Sequence, residues 1–296
     1  MTTRRRLLKQ CASGAALSAL GLSKLLAAPT GDFDAAIRAL EQRHGGRLGV
    51  AVRDTANGRE AAHRGDERFL MCSTFKVLAA AMILARVDAG EESLDRHIAY
   101  GSDDLVTYSP ETEKHVGTGM TLGAICRAAI TLSDNTAGNL MLDSIDGPAA
   151  LTAFLRSIGD EVTRLDRYET ALNDYTPGND HDSTTPRAML ASMQRLLLGD
   201  RLSRGAREQL AAWMQANETG DARLRAGLPG RWSVGDKTGS GDNNTANDIA
   251  IVWPDGGAPL LIATYYTGSQ ASNTQRDRVL ADVGATVAQW HAQPDR

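Results

Sequence analysis

Ser73-Thr74-Phe75-Lys76 sets a hydroxyl and an amine three residues apart at the start of an apolar run. In a helix, residues at that spacing share a face, so Lys76 stands beside Ser73. A serine hydroxyl is a weak nucleophile and needs such a neighbour to take its proton. At a helix N-terminus it also lies among unpaired backbone N–H groups, which favour negative charge. The Ser73 N–H can then stabilise the oxyanion formed when a carbonyl is attacked, with the Ser240 N–H as the natural second donor. The chemistry implied is acyl transfer through a covalent intermediate on Ser73.

Two further strings extend this reading. Ser133-Asp134-Asn135 falls between two helical stretches, and Lys237-Thr238-Gly239 falls at the end of an expected strand. S-x-x-K alone is expected about once by chance in a chain of this length. The other two are each expected in roughly one chain in ten or twenty, and on their own would read as a helix cap and a turn at a strand end. All three in this order, each at an element boundary, put coincidence below about one per cent.

Together these strings resemble the class A serine β-lactamases, whose signature they match. The resemblance covers nearly the whole chain after the N-terminal segment. Arg167-Tyr168-Glu169, Asn173 and Asp182 resemble that family's Ω-shaped loop. The resemblance implies that Glu169 and Asn173 hold a water against the ester on Ser73, and that Arg167 and Asp182 pair to close the loop. It makes Lys76 the group that takes or relays the serine proton, and Ser133 the donor to the departing lactam nitrogen. Asn135 would bind the substrate amide side chain. Lys237 would supply positive charge, and Thr238, Gly239 and Ser240 would line the substrate carboxylate. The family's usual arginine after K-T-G is missing from Asn243-Asn244-Thr245-Ala246-Asn247. Arg223 is the replacement, because its planar fork suits a carboxylate. Tyr108 resembles the aromatic on the cleft wall.

Glu169 separates the two principal functions. Penicillin-binding D-Ala-D-Ala peptidases, and β-lactam sensor domains, share the serine, lysine and K-T-G logic but remain acylated by β-lactams. A hydrolase needs a base to activate water for the second step. Thr170 follows Glu169 where many relatives carry proline, and the resemblance implies a cis bond between them. Lys237-Thr238-Gly239-Ser240-Gly241-Asp242 resembles extended-spectrum members that favour oxyimino cephalosporins. Cys72 and Cys126 each resemble half of a family disulfide. Their partner positions hold Gly241 and Ala80, so two free thiols are expected.

The elements that must position these residues follow from periodicity. Asp34–His44 reads as an amphipathic helix with Ala35, Ala36, Ile37 and Leu40 on one side, ended by Gly45-Gly46. Leu48–Val52, Trp232–Gly235, Asp248–Trp253 and Leu260–Tyr266 read as strands, with turns at Asn57-Gly58 and Pro254–Gly257. A final helix is expected over about 273–291. Between them the spacing is helical at 74–88, 121–130, 134–145, 148–158, 187–198 and 204–216. This predicts an α+β fold. An antiparallel sheet flanked by helices is built from both chain ends (29–70 and 215–296). An all-helical lobe (71–214) is inserted, and the site lies in the cleft between.

Composition narrows the partners. The 296 residues carry 32 Lys+Arg against 36 Asp+Glu, without the clustered basic excess of a nucleic-acid binder. An aromatic content of 5% argues against a stacking platform. At the N-terminus, Arg4-Arg5-Arg6 and Lys9 precede a short apolar run to Leu22, and then Lys24 and Ala27-Ala28. This describes an export signal over 1–28, with paired arginines of the twin-arginine type. The run is too short to cross a hydrocarbon core of about 30 Å, and Cys11 lacks a lipoprotein context. The expected destination is the periplasm, as a monomer with no membrane association after processing. Losing Arg4, Arg5, Arg6, Lys9 and Lys24 leaves a more acidic domain. The histidines show no metal-ligand spacing, and serine chemistry needs no ion or cofactor.

Overall fold

The computed structural model describes residues 33–293, and the expected export segment lies outside these residues. Helix α1 (Phe33–His44) buries Phe33, Ile37, Leu40 and Glu41. Ala35 is exposed and Ala36 half-buried, so the apolar face is rotated from the expected one. The spacing 33, 37, 40 is the true stripe, and the alanines are too small to decide it. Gly45 and Gly46, with φ of 69° and 78°, turn the chain into the sheet.

Strands β1 (Arg47–Asp54) and β2 (Glu60–His63) form a hairpin around Gly58. Two-residue strand β3 (Phe69–Leu70) leads through a 3₁₀ turn, Cys72–Thr74, into α2 (Phe75–Asp88). Then come β4 (His97–Ile98), β5 (Met120–Thr121), α3 (Leu122–Thr131), α4 (Asn135–Asp143) and α5 (Pro148–Ser157). After a long loop, β6 (Ser183–Thr184) pairs with β3, and α6 (Pro186–Leu197) and α7 (Arg204–Gln215) follow. A short α8 (Leu224–Gly227) precedes β7 (Ser233–Gly241), β8 (Thr245–Trp253), β9 (Leu260–Thr267) and α9 (Asn273–His291).

The main sheet is antiparallel, in the order β2-β1-β9-β8-β7. Its inner strands are buried on both faces, which explains their unbroken apolar runs. Val50, Val52, Ala250, Ile262 and Tyr266 pack against α1, α8 and α9, whereas Ile249, Ile251, Leu261 and Ala263 join the core of the helical lobe. Helix α6 belongs to the inserted segment yet packs on β1 and β9, so the inserted region also covers this face of the sheet.

Polar caps start the helices where the sequence changes character. Thr121, Asp134, Thr185, Ser203 and Ser272 each accept a backbone N–H from their helix's first turn. Helix α2 is buried almost all round, as befits the central helix of the lobe. Lys237-Thr238-Gly239 lies within β7, not at its end, because the strand pairs with β8 up to Gly241↔Thr245. Since β7 is the sheet edge, its free side faces the cleft.

Helices α8 and α9 approach closely at two glycines. A Cβ on Gly227 would sit 1.7 Å from the Ala281 carbonyl oxygen, and one on Gly284 would sit 2.5 Å from that of Leu224. Gly227→Ala therefore forces the two backbones apart. It is expected to cost about 3 kcal/mol, lowering Tm by about 6–12 °C in a thermal melt. An unchanged Tm would show that α8 is not wedged.

Candidate active site

Ser73 lies in the 3₁₀ turn leading into α2, and Lys76 follows one turn on. Lys76 Nζ donates to Ser73 Oγ at 3.0 Å, as the spacing requires. It also donates to the Ser133 carbonyl at 3.0 Å and to Asn135 Oδ1 at 2.8 Å. Its remaining neighbour is Glu169 Oε1 at 3.0 Å, with both side chains fully buried. Ser73 Oγ itself lies 3.4 Å from the same oxygen. The carboxylate of Glu169 thus faces the hydroxyl, not bulk solvent.

Glu169 is held from several sides. Asn173 Nδ2 donates to Oε2 at 2.6 Å. Asn139 on α4 pairs with the Glu169 backbone, accepting from N at 2.8 Å and donating to O at 3.0 Å. The peptide bond between Glu169 and Thr170 is cis, as the resemblance implied. Arg167 Nε meets Asp182 Oδ2 at 2.6 Å, and Asp182 Oδ1 accepts from the backbone of Asp166 and Arg167. The Asp182 carbonyl accepts from Met71 N at 2.9 Å, tying the loop's far end to the residue that precedes the 3₁₀ turn carrying Ser73.

The opposite wall comes from β7. Lys237 Nζ donates to Ser133 Oγ at 2.9 Å. Arg223, at the start of α8, reaches Ser240 Oγ at 2.8 Å, the Gly239 carbonyl at 2.9 Å and the Asn247 carbonyl at 2.7 Å. Its Nε is fixed by Asp277 at 2.8 Å. Arg223 thus reaches the edge of β7 at Gly239 and Ser240. Ser73, Tyr108, Ser133, Asn135, Asn173, Arg223, Thr238, Gly239 and Ser240 all line one cleft of about 340 Å³. Lys76, Glu169 and Lys237 lie buried at its floor.

Four residues of this region hold a left-handed backbone: Cys72 (φ 46°), Tyr108 (68°), Ser133 (60°) and Asp182 (53°). Such conformations cost about 1–3 kcal/mol each outside glycine and persist where the surroundings enforce them. Asp134 enforces two of them. Its carboxylate caps α4 and accepts from Glu111 N, Thr112 N and Thr112 Oγ1, and the neighbouring Asn135 N donates to the Tyr108 carbonyl. Tyr108 projects from this bracket, largely exposed at the rim.

Charge is concentrated below the cleft. Burial pushes the Lys237 ammonium well below the usual lysine range, and the charge of Lys76 adds to this while Asp236 opposes it. Burial likewise raises Asp236, despite its ion pair with Arg225 at 2.5 Å. It raises Asp248 further, with Asp236 as the next cause. Cys72 and Cys126 are buried free thiols. Among the described residues no cluster of three or more His, Cys, Asp or Glu side chains could hold a metal ion, and no helix is long and apolar enough to cross a membrane.

Sequence reasoning missed Asn139, which the four-residue step from Asn135 places on the adjoining turn of α4 and could have flagged. It also missed Gly138, where a Cβ would sit 2.8 Å from Lys76 Cε. Thr219, Asn217 and Asp277 carried no local signal.

A family model described as the Beta-lactamase enzyme family matches residues 32–291. The chain is 46% identical to β-lactamase OXY-2 of Klebsiella oxytoca, over 93% of this chain and 95% of that protein. It is 47% identical to β-lactamase CTX-M-8 of Citrobacter amalonaticus, over 92% and 94%. Among solved structures, an ancestral (GNCA) class A β-lactamase is 62% identical with a TM-score of 0.86, covering 87% of this chain and 99% of that one. The fold, the buried serine–lysine–glutamate cluster and these likenesses agree: the chain belongs to the class A β-lactamases.

Proposed function

We propose that the chain hydrolyses penicillins and cephalosporins through an ester on Ser73 and so confers resistance to them, with the residues above in the following roles. The observation that carries this reading is the Glu169 carboxylate, buried within 3.4 Å of Ser73 Oγ and 3.0 Å of Lys76 Nζ. Ser73 Oγ attacks the lactam carbonyl carbon. Lys76 donates to Oγ, so it must first surrender a proton before it can take one, and Glu169 is the adjacent acceptor. Glu169 acting through water is the second route for the serine proton. The oxyanion is met by the backbone N–H groups of Ser73 and Ser240.

As the C–N bond breaks, the nitrogen takes the Ser133 hydroxyl proton. Lys237 already donates to that hydroxyl, which leaves its own proton free to point into the cleft. Water then gives a proton to Glu169 and attacks the ester, and Oγ departs and is reprotonated. Asn173 Oδ1 is buried without a protein partner, an acceptor suited to hold that water. Asn135 is engaged by Lys76 and by the Thr107 carbonyl, and its remaining amide hydrogen serves the substrate amide. Thr238, Ser240 and Arg223 take the substrate carboxylate, and Tyr108 flanks the ring. The K-T-G-S-G-D edge favours oxyimino cephalosporins. The first 28 residues act as a twin-arginine export signal, and the remainder works as a monomeric single-domain enzyme in the periplasm.

Four outcomes test these assignments. With a chromogenic cephalosporin, Ser73→Ala abolishes turnover. Glu169→Ala still acylates but loses about 10²–10⁴-fold in deacylation, and mass spectrometry detects the accumulated adduct. Loss of acylation as well would move Glu169 to the first step. Because Lys237 sheds its proton below the ordinary lysine range, kcat/KM declines on the alkaline side earlier than a free lysine would dictate. Lys237→Arg, which stays charged, moves that decline upward; an unmoved profile assigns it to another group. Replacing Arg4 and Arg5 by lysine blocks export and leaves the precursor in the cytoplasm, whereas normal periplasmic activity would exclude the twin-arginine route.

A further inference from the structure

The loop between α7 and α8 brings a threonine to the cleft that sequence reasoning did not anticipate. Thr219 lines the cleft beside Thr238, Ser240 and Arg223. Its Oγ1 lies 2.5 Å from Thr238 Oγ1 and donates to Asn217 Oδ1 at 2.8 Å. Thr219 N donates to the same oxygen at 3.1 Å, which fixes that atom as an acceptor. Asn217 Nδ2 in turn donates to the buried Asp236 Oδ2 at 2.6 Å. Gly220 allows this path: a Cβ there would sit 1.9 Å from Asp236 Oδ2.

Each hydroxyl has one proton to give. In the free enzyme the Thr219 proton goes to Asn217, so the 2.5 Å contact requires Thr238 to donate to Thr219. Thr238 then turns lone pairs toward the cleft, the wrong polarity for a carboxylate. When a carboxylate binds, the Thr238 proton must swing to it. The two oxygens would be left without a proton between them unless Thr219 turns its own proton to Thr238. Asn217 tolerates that loss because the Thr219 N–H remains on its oxygen.

We propose that Thr219 is a positioning residue for carboxylate-bearing substrates, its hydroxyl and that of Thr238 reversing donor direction together when the carboxylate binds. This rests on the reading above that Thr238 takes the carboxylate. The bound arrangement is a hydrogen-bond chain ending on a charge, and the free one ends on the neutral Asn217 amide. The former is the stronger, so the hydroxyl at 219 favours the bound state.

The test compares a cephalosporin with its methyl ester on the wild-type enzyme, Thr219→Ala, Thr219→Ser and Thr238→Ala. Thr219→Ala is expected to lower kcat/KM for the acid about 3- to 10-fold, through KM, with kcat within about twofold. The ester should be unaffected, and Thr219→Ser should restore the acid. Equal losses on acid and ester, or a loss that serine does not rescue, would overturn the proposal. If Thr238→Ala erases the preference for acid while Thr219→Ala keeps it, the reading of Thr238 stands and the role of Thr219 falls. If neither variant changes the preference, the carboxylate reading itself fails.

Discussion

The contact on which the site depends is Lys76 Nζ against Glu169 Oε1, two opposite charges held 3.0 Å apart with no exposure to water. Burying either charge alone would be costly, and removing one partner from such a pair typically costs about 3–5 kcal/mol. The surroundings meet that demand with hydrogen bonds. Lys76 is satisfied by Ser73, Ser133 and Asn135, and Glu169 by Asn173. Helix α4 supplies Asn135 to the cation and Asn139 to the backbone of the anion. One turn of helix therefore sets the separation between them.

That arrangement explains why the loop over 164–182 is fastened so heavily. A carboxylate on a free loop would turn to water, where solvation favours it. The pairing of Arg167 with the fully buried Asp182, and the bond from Met71 N to the Asp182 carbonyl, link the loop to the segment bearing Ser73. The nucleophile and the carboxylate consequently share one frame. The left-handed residues at 72, 108, 133 and 182 are places where this frame overrides local preference.

The far wall obeys a different constraint. Lys237 is also buried, and the acidic residues beside it, Asp236 on β7 and Asp248 on β8, are buried with it. An edge strand suits this position, because its outer side is free to meet a substrate while its inner side is anchored to β8. Arg223 arrives from α8 and is aimed by Asp277 and two strand carbonyls. Cationic charge therefore gathers at the substrate end of the cleft although the chain as a whole is acidic.

Much of this was legible in the residues themselves. The three-residue step from Ser73 to Lys76 is a helix neighbour by construction, and the Ser133-Asp134-Asn135 string reads as a helix cap through purely local hydrogen bonding. The inner strands announced themselves by apolar runs, whereas the expectation that Cys72 and Cys126 stay free came from the resemblance, whose partner positions hold Gly241 and Ala80. The orientation of α1 was misjudged because Ala35 weighs little against Phe33. The extent of β7 was misjudged because Lys237, buried by tertiary packing, looks like a strand terminus in sequence. Motif resemblance, not spacing, pointed to Glu169 and Arg223. The bonds of Thr219 and Asp277 were visible only in the fold. Local periodicity fixes neighbours within a turn or a strand pair. Which distant side chain fills a buried charge's last contact is decided only when the lobes close and water is excluded.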